Sequence, residues 1–138
     1  MSAAQKVPPS PVKVLVVEDN DDGREMYAQY LRFAGYEVAV ASNGVDALDK
    51  ARNERFDVVL MDMSMPTLDG WSTTRALRLD SRTSEVPVLA VSGHATHSKR
   101  QAAIEAGADE FVTKPCPPDE VEEKIRALLR KRGLLKPR

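Results

Sequence analysis

The chain has 138 residues, 42% of them hydrophobic and 30% charged, with a formal net charge of −1. That length suits one domain with a core of its own, and the near-neutral charge gives no electrostatic reason to expect nucleic acid or an anionic membrane as a direct partner. A single cysteine, Cys116, excludes an intramolecular disulfide and a cysteine-held zinc, and no apolar run approaches the ~20 residues of a membrane span.

Residues 1–11, "MSAAQKVPPSP", are rich in Pro and Ser and lack the apolar stretch of a secretory signal. They read as a disordered tail on a cytoplasmic protein. "VKVLVV" follows as a first strand, and Asp21 or Asp22 is placed to cap a helix carrying Met26, Tyr27, Tyr30, Leu31 and Ala34, stopped at Gly35. "YEVAVA" gives a second strand, and Asn43 opens a helix with Ala47, Leu48 and Ala51 on one side. "FDVVLM" is a third strand, apolar throughout as a strand covered on both faces should be, and it runs into Asp62. Asp69 caps a helix over about 70–79, with Leu77 directed inward. "VPVLAV" leads to Ser92, and a helix over about 95–106, polar apart from Ala102, Ala103 and Ile104, ends at Gly107. "EFVT" is the fifth strand, leading to Lys114 and Pro115. Pro117 and Pro118 then suit a helix start, with Val121, Ile125 and Leu128 at i, i+4 and i+7. Strands alternating with helices predict a (βα)5 doubly wound parallel sheet with right-handed connections. The domain occupies 12–132, and residues 133–138 form a short basic tail.

The strand ends carry the chemistry. Glu18 and Asp19 follow the first strand, Asp62 ends the third, Ser92 the fourth, and Lys114 follows the fifth. Open α/β sheets bind ligands beyond the carboxyl ends of their strands, so these groups converge on one edge. Each alone has an ordinary explanation: a turn or cap for the acids, a backbone contact for the serine, solvation for the lysine. Together they do not. A pair of like charges at about 4 Å costs roughly 4 kcal/mol at an effective dielectric near 20. Three gathered carboxylates therefore call for a hard cation among them and an ammonium beside them. Oxygen donors without His or Cys favour Mg2+, or Mn2+, over zinc. Such an ion accepts phosphate oxygens, and Ser92 and Lys114 are the types to hold the rest of a phosphoryl group.

Residues 12–132 resemble the receiver domain of two-component response regulators. The resemblance rests on "VLVVEDN", "VVLMDMSMPTLDG", "PVLAVSG" and "AGADEFVTKP" in that order. It implies a flavodoxin-like sheet in strand order 2-1-3-4-5, with Asp62 as phosphoacceptor. It implies that Glu18, Asp19, Asp62 and the carbonyl of Ser64 serve the metal, Asp19 directly and Glu18 through water. Ser92 and Lys114 contact the phosphoryl group, and Phe111 stands at the aromatic position whose rotamer reports activation. The donor is then a phosphohistidine on a histidine kinase or a histidine phosphotransfer protein. The activity is limited to self-phosphorylation and slow autodephosphorylation. The expected output is either docking of a downstream protein on the face made by helix 95–106, strand 109–112 and helix 118–132, or action as part of a larger protein such as a hybrid kinase. Departures from the commonest pattern are mild: Glu-Asp in place of Asp-Asp, Ser for Thr at position 92, Phe for Tyr at position 111.

Two rivals share parts of this pattern. A Mg2+-dependent aspartyl phosphatase of the haloacid dehalogenase type would carry a second Asp two residues after its nucleophile, where this chain has Ser64, and would need a cap to enclose substrate. A phosphate-independent adaptor with the same fold would typically have lost the acceptor or the lysine, and both are present. His94 reads as tuning access to the site or meeting solvent, His97 as a polar helix residue, and Cys116 as a small inert one.

Overall fold

The computed structural model describes residues 11–65, 68–93 and 96–133. Within them run β1 (Lys13–Val17), α1 (Asp21–Phe33), β2 (Glu37–Ala41), α2 (Gly44–Asn53), β3 (Val58–Asp62), α3 (Gly70–Leu79), β4 (Val88–Ser92), α4 (His97–Ala106), β5 (Glu110–Thr113) and α5 (Pro118–Lys131). The expectations for residues 1–10, His94, Ala95 and residues 134–138 lie outside the described residues.

The five strands form one parallel sheet in the order β2-β1-β3-β4-β5, as expected. Successive side chains of a strand point to opposite faces, and here both faces are covered. Leu15, Val17, Val59, Met61, Val88 and Ala90 pack on one side with Ala47, Ala51, Leu77 and Ala103 from α2, α3 and α4. Val14, Val16, Val58, Leu60, Leu89 and Val91 pack on the other with Tyr27, Leu31, Ile125 and Leu129 from α1 and α5. This two-sided burial is why β3 and β4 read as unbroken apolar runs.

The starts of α1 to α4 follow side-chain caps, with one correction, whereas α5 starts at Pro118 with no side-chain cap. Asn43 and Asp69 accept from the backbone N–H three residues on, and the turn before α4 uses Thr96 in the same way. The cap of α1 is Asn20, whose Oδ1 accepts from Gly23 N, rather than Asp21 or Asp22. Those two aspartates lie inside the first turn, where their charge complements the helix dipole. The apolar face of α1 is also narrower than expected: Tyr27, Ala28 and Leu31 are buried, whereas Met26, Ala34 and the neighbouring Phe33 are exposed. At the far end of α4, Gly107 takes φ 116°, a left-handed value that favours glycine.

Candidate functional site

The carboxyl edge of the sheet is assembled by register. Asp62 is the partner of Val91 across β3 and β4, and Ser92 of Thr113 across β4 and β5. The ladder continues past the strands: Met63 N donates to Val91 O at 2.9 Å, and Lys114 N to Ser92 O at 2.8 Å. Glu18 leaves β1 with its N–H bonded to Ala41 O. Hence Glu18, Asp62, Ser92 and Lys114 come from four different strand ends to one place.

One carboxylate oxygen each of Glu18, Asp19 and Asp62 lie within 4.8 Å of one another. Glu18 and Asp62 are each 3% exposed, whereas Asp19 faces solvent. Lys114 Nζ sits 2.9 Å from Glu18 Oε1 and 3.7 Å from Asp62 Oδ2. Ser64 enters through its backbone N–H, which donates to Asp62 Oδ1 at 3.1 Å. Ser92 is fully buried at the end of β4. The donor set is all oxygen, partly buried and open on the Asp19 side, which fits a hard divalent cation that keeps some of its water. Glu18, Asp19 and Asp62 are the residues that could hold it.

The charges bear out why this edge is unusual. Burial pushes the Asp62 carboxyl up to about 7, and the adjacent Glu18 carboxyl adds to the rise; the Ser64 N–H and the Lys114 ammonium pull against it. For Lys114, burial works against the charged form. The hydrogen bond to Glu18 and the charges of Asp62, Glu18 and Asp19 outweigh that, leaving its pKa raised. The ammonium is thus a fixed cation held against two buried carboxyls.

Residues 14–126 match the family model of the response regulator receiver domain. This chain belongs to that family. Response regulator MprA of Mycobacterium sp. (strain KMS) is 41% identical over 121 residues, which are 88% of this chain and 52% of that protein. Transcriptional regulatory protein PrrA of Mycobacterium tuberculosis is 40% identical over 88% of this chain and 51% of that protein. The chain therefore spans about half the length of these curated relatives. Among solved structures, the chemotaxis protein CheY4 of Vibrio cholerae superposes with a TM-score of 0.84 at 33% identity, covering 87% of this chain and 100% of that one. The receiver domain of sensor histidine kinase PA1611 from Pseudomonas aeruginosa PAO1, which has a magnesium ion coordinated in its active-site cleft, gives a TM-score of 0.81 at 30% identity over 88% and 99%. The receiver fold and its place in two-component signalling follow from these relatives.

Around the site of this receiver domain stand further contacts, of which those of Arg24, Gly70 and the Tyr27 hydroxyl leave no mark in the sequence. Arg24, in the first turn of α1, reaches back to the Glu18 carbonyl. Gly70 starts α3 in contact with the backbone of Asp62 and Met63. Tyr27 Oη donates to Cys116 O at 2.9 Å in the interior, tying α1 to the segment that follows Lys114. Phe111 is 3% exposed and packs in the core beside Ala90 and Ala103, with the Arg100 guanidinium 4.9 Å over its ring. Phe111 occupies the switch position that the resemblance implies, and Tyr27 lies on the predicted apolar face of its helix. Nothing in its spacing marked the bond its hydroxyl makes.

Proposed function

We propose that this receiver domain accepts a phosphoryl group on Asp62 from a phosphohistidine of a histidine kinase or histidine phosphotransfer protein, with Mg2+ (or Mn2+) held at Glu18, Asp19, Asp62 and the Ser64 carbonyl. The observation that carries the reading is the Lys114 ammonium placed between Glu18 and Asp62 where three carboxylate oxygens converge. The magnesium in the cleft of the PA1611 receiver domain supports the choice of ion. When bound, the ion supplies positive charge to the oxygens of the transferring group. Asp62 attacks phosphorus in line through a carboxylate oxygen while the P–N bond to the imidazole breaks, giving an acyl phosphate and a free histidine. Lys114 holds its charge against the oxygens that gain it, and Ser92 offers its hydroxyl to one of them. Water later cleaves the new P–O bond, which makes the activity self-limited rather than that of an enzyme on other substrates. The change is passed on by α4, β5 and α5, the face assigned to a downstream protein in a cytoplasmic setting.

Intact-mass analysis after incubation with acetyl phosphate tests this. The parent gains one phosphoryl mass with magnesium and none with a chelator, and the adduct is lost in mild base. Asp62→Ala gains none under either condition; undiminished labelling of that variant would sink the assignment.

A further inference from the structure

Asp19 is the exposed member of the carboxylate cluster, and what fixes it is its backbone rather than its side chain. On one side, Glu18 N is tied to Ala41 O at 3.1 Å. On the other, Asn20 N donates to Glu18 Oε2 at 3.2 Å, and Asn20 caps α1 through Gly23 N at 2.8 Å. The remaining freedom is the peptide joining Glu18 to Asp19, and its carbonyl accepts from Arg24 Nη1 at 3.0 Å. The same guanidinium bonds Asp21 Oδ1 through Nη2 at 2.6 Å. One rigid fork therefore spans the acidic turn, from the carbonyl before Asp19 to a carboxylate two residues after it.

We infer that Arg24 is a positioning residue of the metal site: its fork sets the plane of the Glu18–Asp19 peptide and so holds the Asp19 carboxylate where a divalent cation needs it. The inference rests on the metal reading above and adds a residue to it. It also opposes plain electrostatics. A cation beside a cluster of carboxylates repels a divalent ion, so on charge alone its loss tightens binding. Positioning predicts the reverse, because outer partners that orient ligands typically contribute about 10–100-fold to metal affinity. A lysine keeps the charge but lacks a planar fork that can serve both acceptors at once.

The test is a magnesium titration followed by amide NMR at constant ionic strength on the parent, Arg24→Ala, Arg24→Lys and Asp19→Asn. Metal-free spectra of the arginine variants should match the parent outside residues 18–24, separating this effect from a loss of folding. The expected result is affinity about tenfold weaker or more in Arg24→Ala, with Arg24→Lys weakened in the same direction. Tighter or unchanged binding in Arg24→Ala, or parent-like binding in Arg24→Lys, overturns the inference. If Asp19→Asn weakens binding while Arg24→Ala does not, the failure is the arginine's alone. No saturable response at residues 18, 19 and 62 of the parent would remove the metal reading and this inference together.

Discussion

Gly70 stands directly against the backbone of Asp62: a Cβ built on it would lie 2.5 Å from the Asp62 carbonyl oxygen and 2.5 Å from Met63 Cα. Both obstacles are main chain, which cannot turn aside as a side-chain tip can. Gly70 N also donates to Met63 O at 3.2 Å, so α3 begins in contact with the residue that follows the acceptor. The requirement for glycine is one of space, since α3 has ordinary helical backbone from Gly70 onward. Gly70→Ala should push the Asp62 turn aside, costing about 1–3 kcal/mol of stability as overpacking does. Its phosphorylation by acetyl phosphate should slow even at temperatures where the variant is fully folded. Chemical denaturation together with initial labelling rates checks both, and parent-like rates would show that the contact does not set the acceptor's geometry.

The Tyr27 hydroxyl is buried and its acceptor is the carbonyl of Cys116, two residues beyond Lys114. Tyr27→Phe keeps the ring and leaves that carbonyl unpaired, a loss of roughly 1–3 kcal/mol. On the proposed roles, with Lys114 serving the phosphoryl oxygens and the metal held from other strands, beryllofluoride binding should weaken while magnesium affinity stays near the parent's. Burial, then the negative charges of the Cys116 thiolate, Glu18 and Asp62, push the phenol up to about 12. The folded state thus keeps its proton above the ordinary value near 10. The sign follows: this stabilisation is complete below pH 10 and lost as pH rises toward 12. The parent's stability should fall over that interval, and the Phe variant should show a shallower slope there in pH-dependent melts.

Much of this architecture was legible in the sequence for definite reasons. β3 and β4 are buried on both faces, so they appear as unbroken apolar runs. Asn43 and Asp69 each stand immediately before a glycine that opens the helix, and both side chains cap there. At α1 three consecutive residues, Asn20, Asp21 and Asp22, could all cap, and only the backbone phase chose Asn20. The converging acids and lysine were visible because strand ends share an edge in a parallel sheet. The Arg24 fork, the closeness of Gly70 to Asp62 and the bond from Tyr27 to a carbonyl 89 residues away are tertiary relations. No periodicity encodes them.

The two partners of Glu18 and Asp62 should separate under mutation. Asp19→Asn removes the charge of a proposed ligand and should weaken magnesium binding and phosphorylation together. Lys114→Ala should leave magnesium affinity at least as high as the parent's, since it removes a cation 3.7 Å from Asp62, while beryllofluoride binding and signal transmission fall. Calorimetric titration of each ligand on both variants checks the split. Loss of magnesium affinity in Lys114→Ala with none in Asp19→Asn would exchange the roles.

On the proposed function, how the state of Asp62 would reach the α4 face depends on how α4 is held. Its C-terminal end is anchored: Arg78 donates to the Gly107 carbonyl through Nε at 3.0 Å and Nη2 at 2.8 Å, and bonds Asp109 as well. Its first turns are exposed and rest on two rings through cations, Lys99 5.1 Å over Trp71 and Arg100 4.9 Å over Phe111. Within α4 only Ala103 and Ala106 are buried. The helix is therefore free to tilt at the end nearest Ser92 and fixed at the other. Phe111 already lies inside, so the movement to follow is that of α4 across its ring. A swing from 1:99 to 99:1 needs about 5.5 kcal/mol of differential affinity, which a few charge-assisted hydrogen bonds at roughly 1.5–3 kcal/mol each can supply. Beryllofluoride should then shift amides 96–101 strongly and those near Gly107 weakly. It should also change the fluorescence of Trp71, the chain's single tryptophan. In Ser92→Ala the shifts should stay at the metal site and the fluorescence should hold constant. Equal shifts at both ends of α4, or full transmission in Ser92→Ala, would show that the signal does not travel from Ser92 through a pivoting helix.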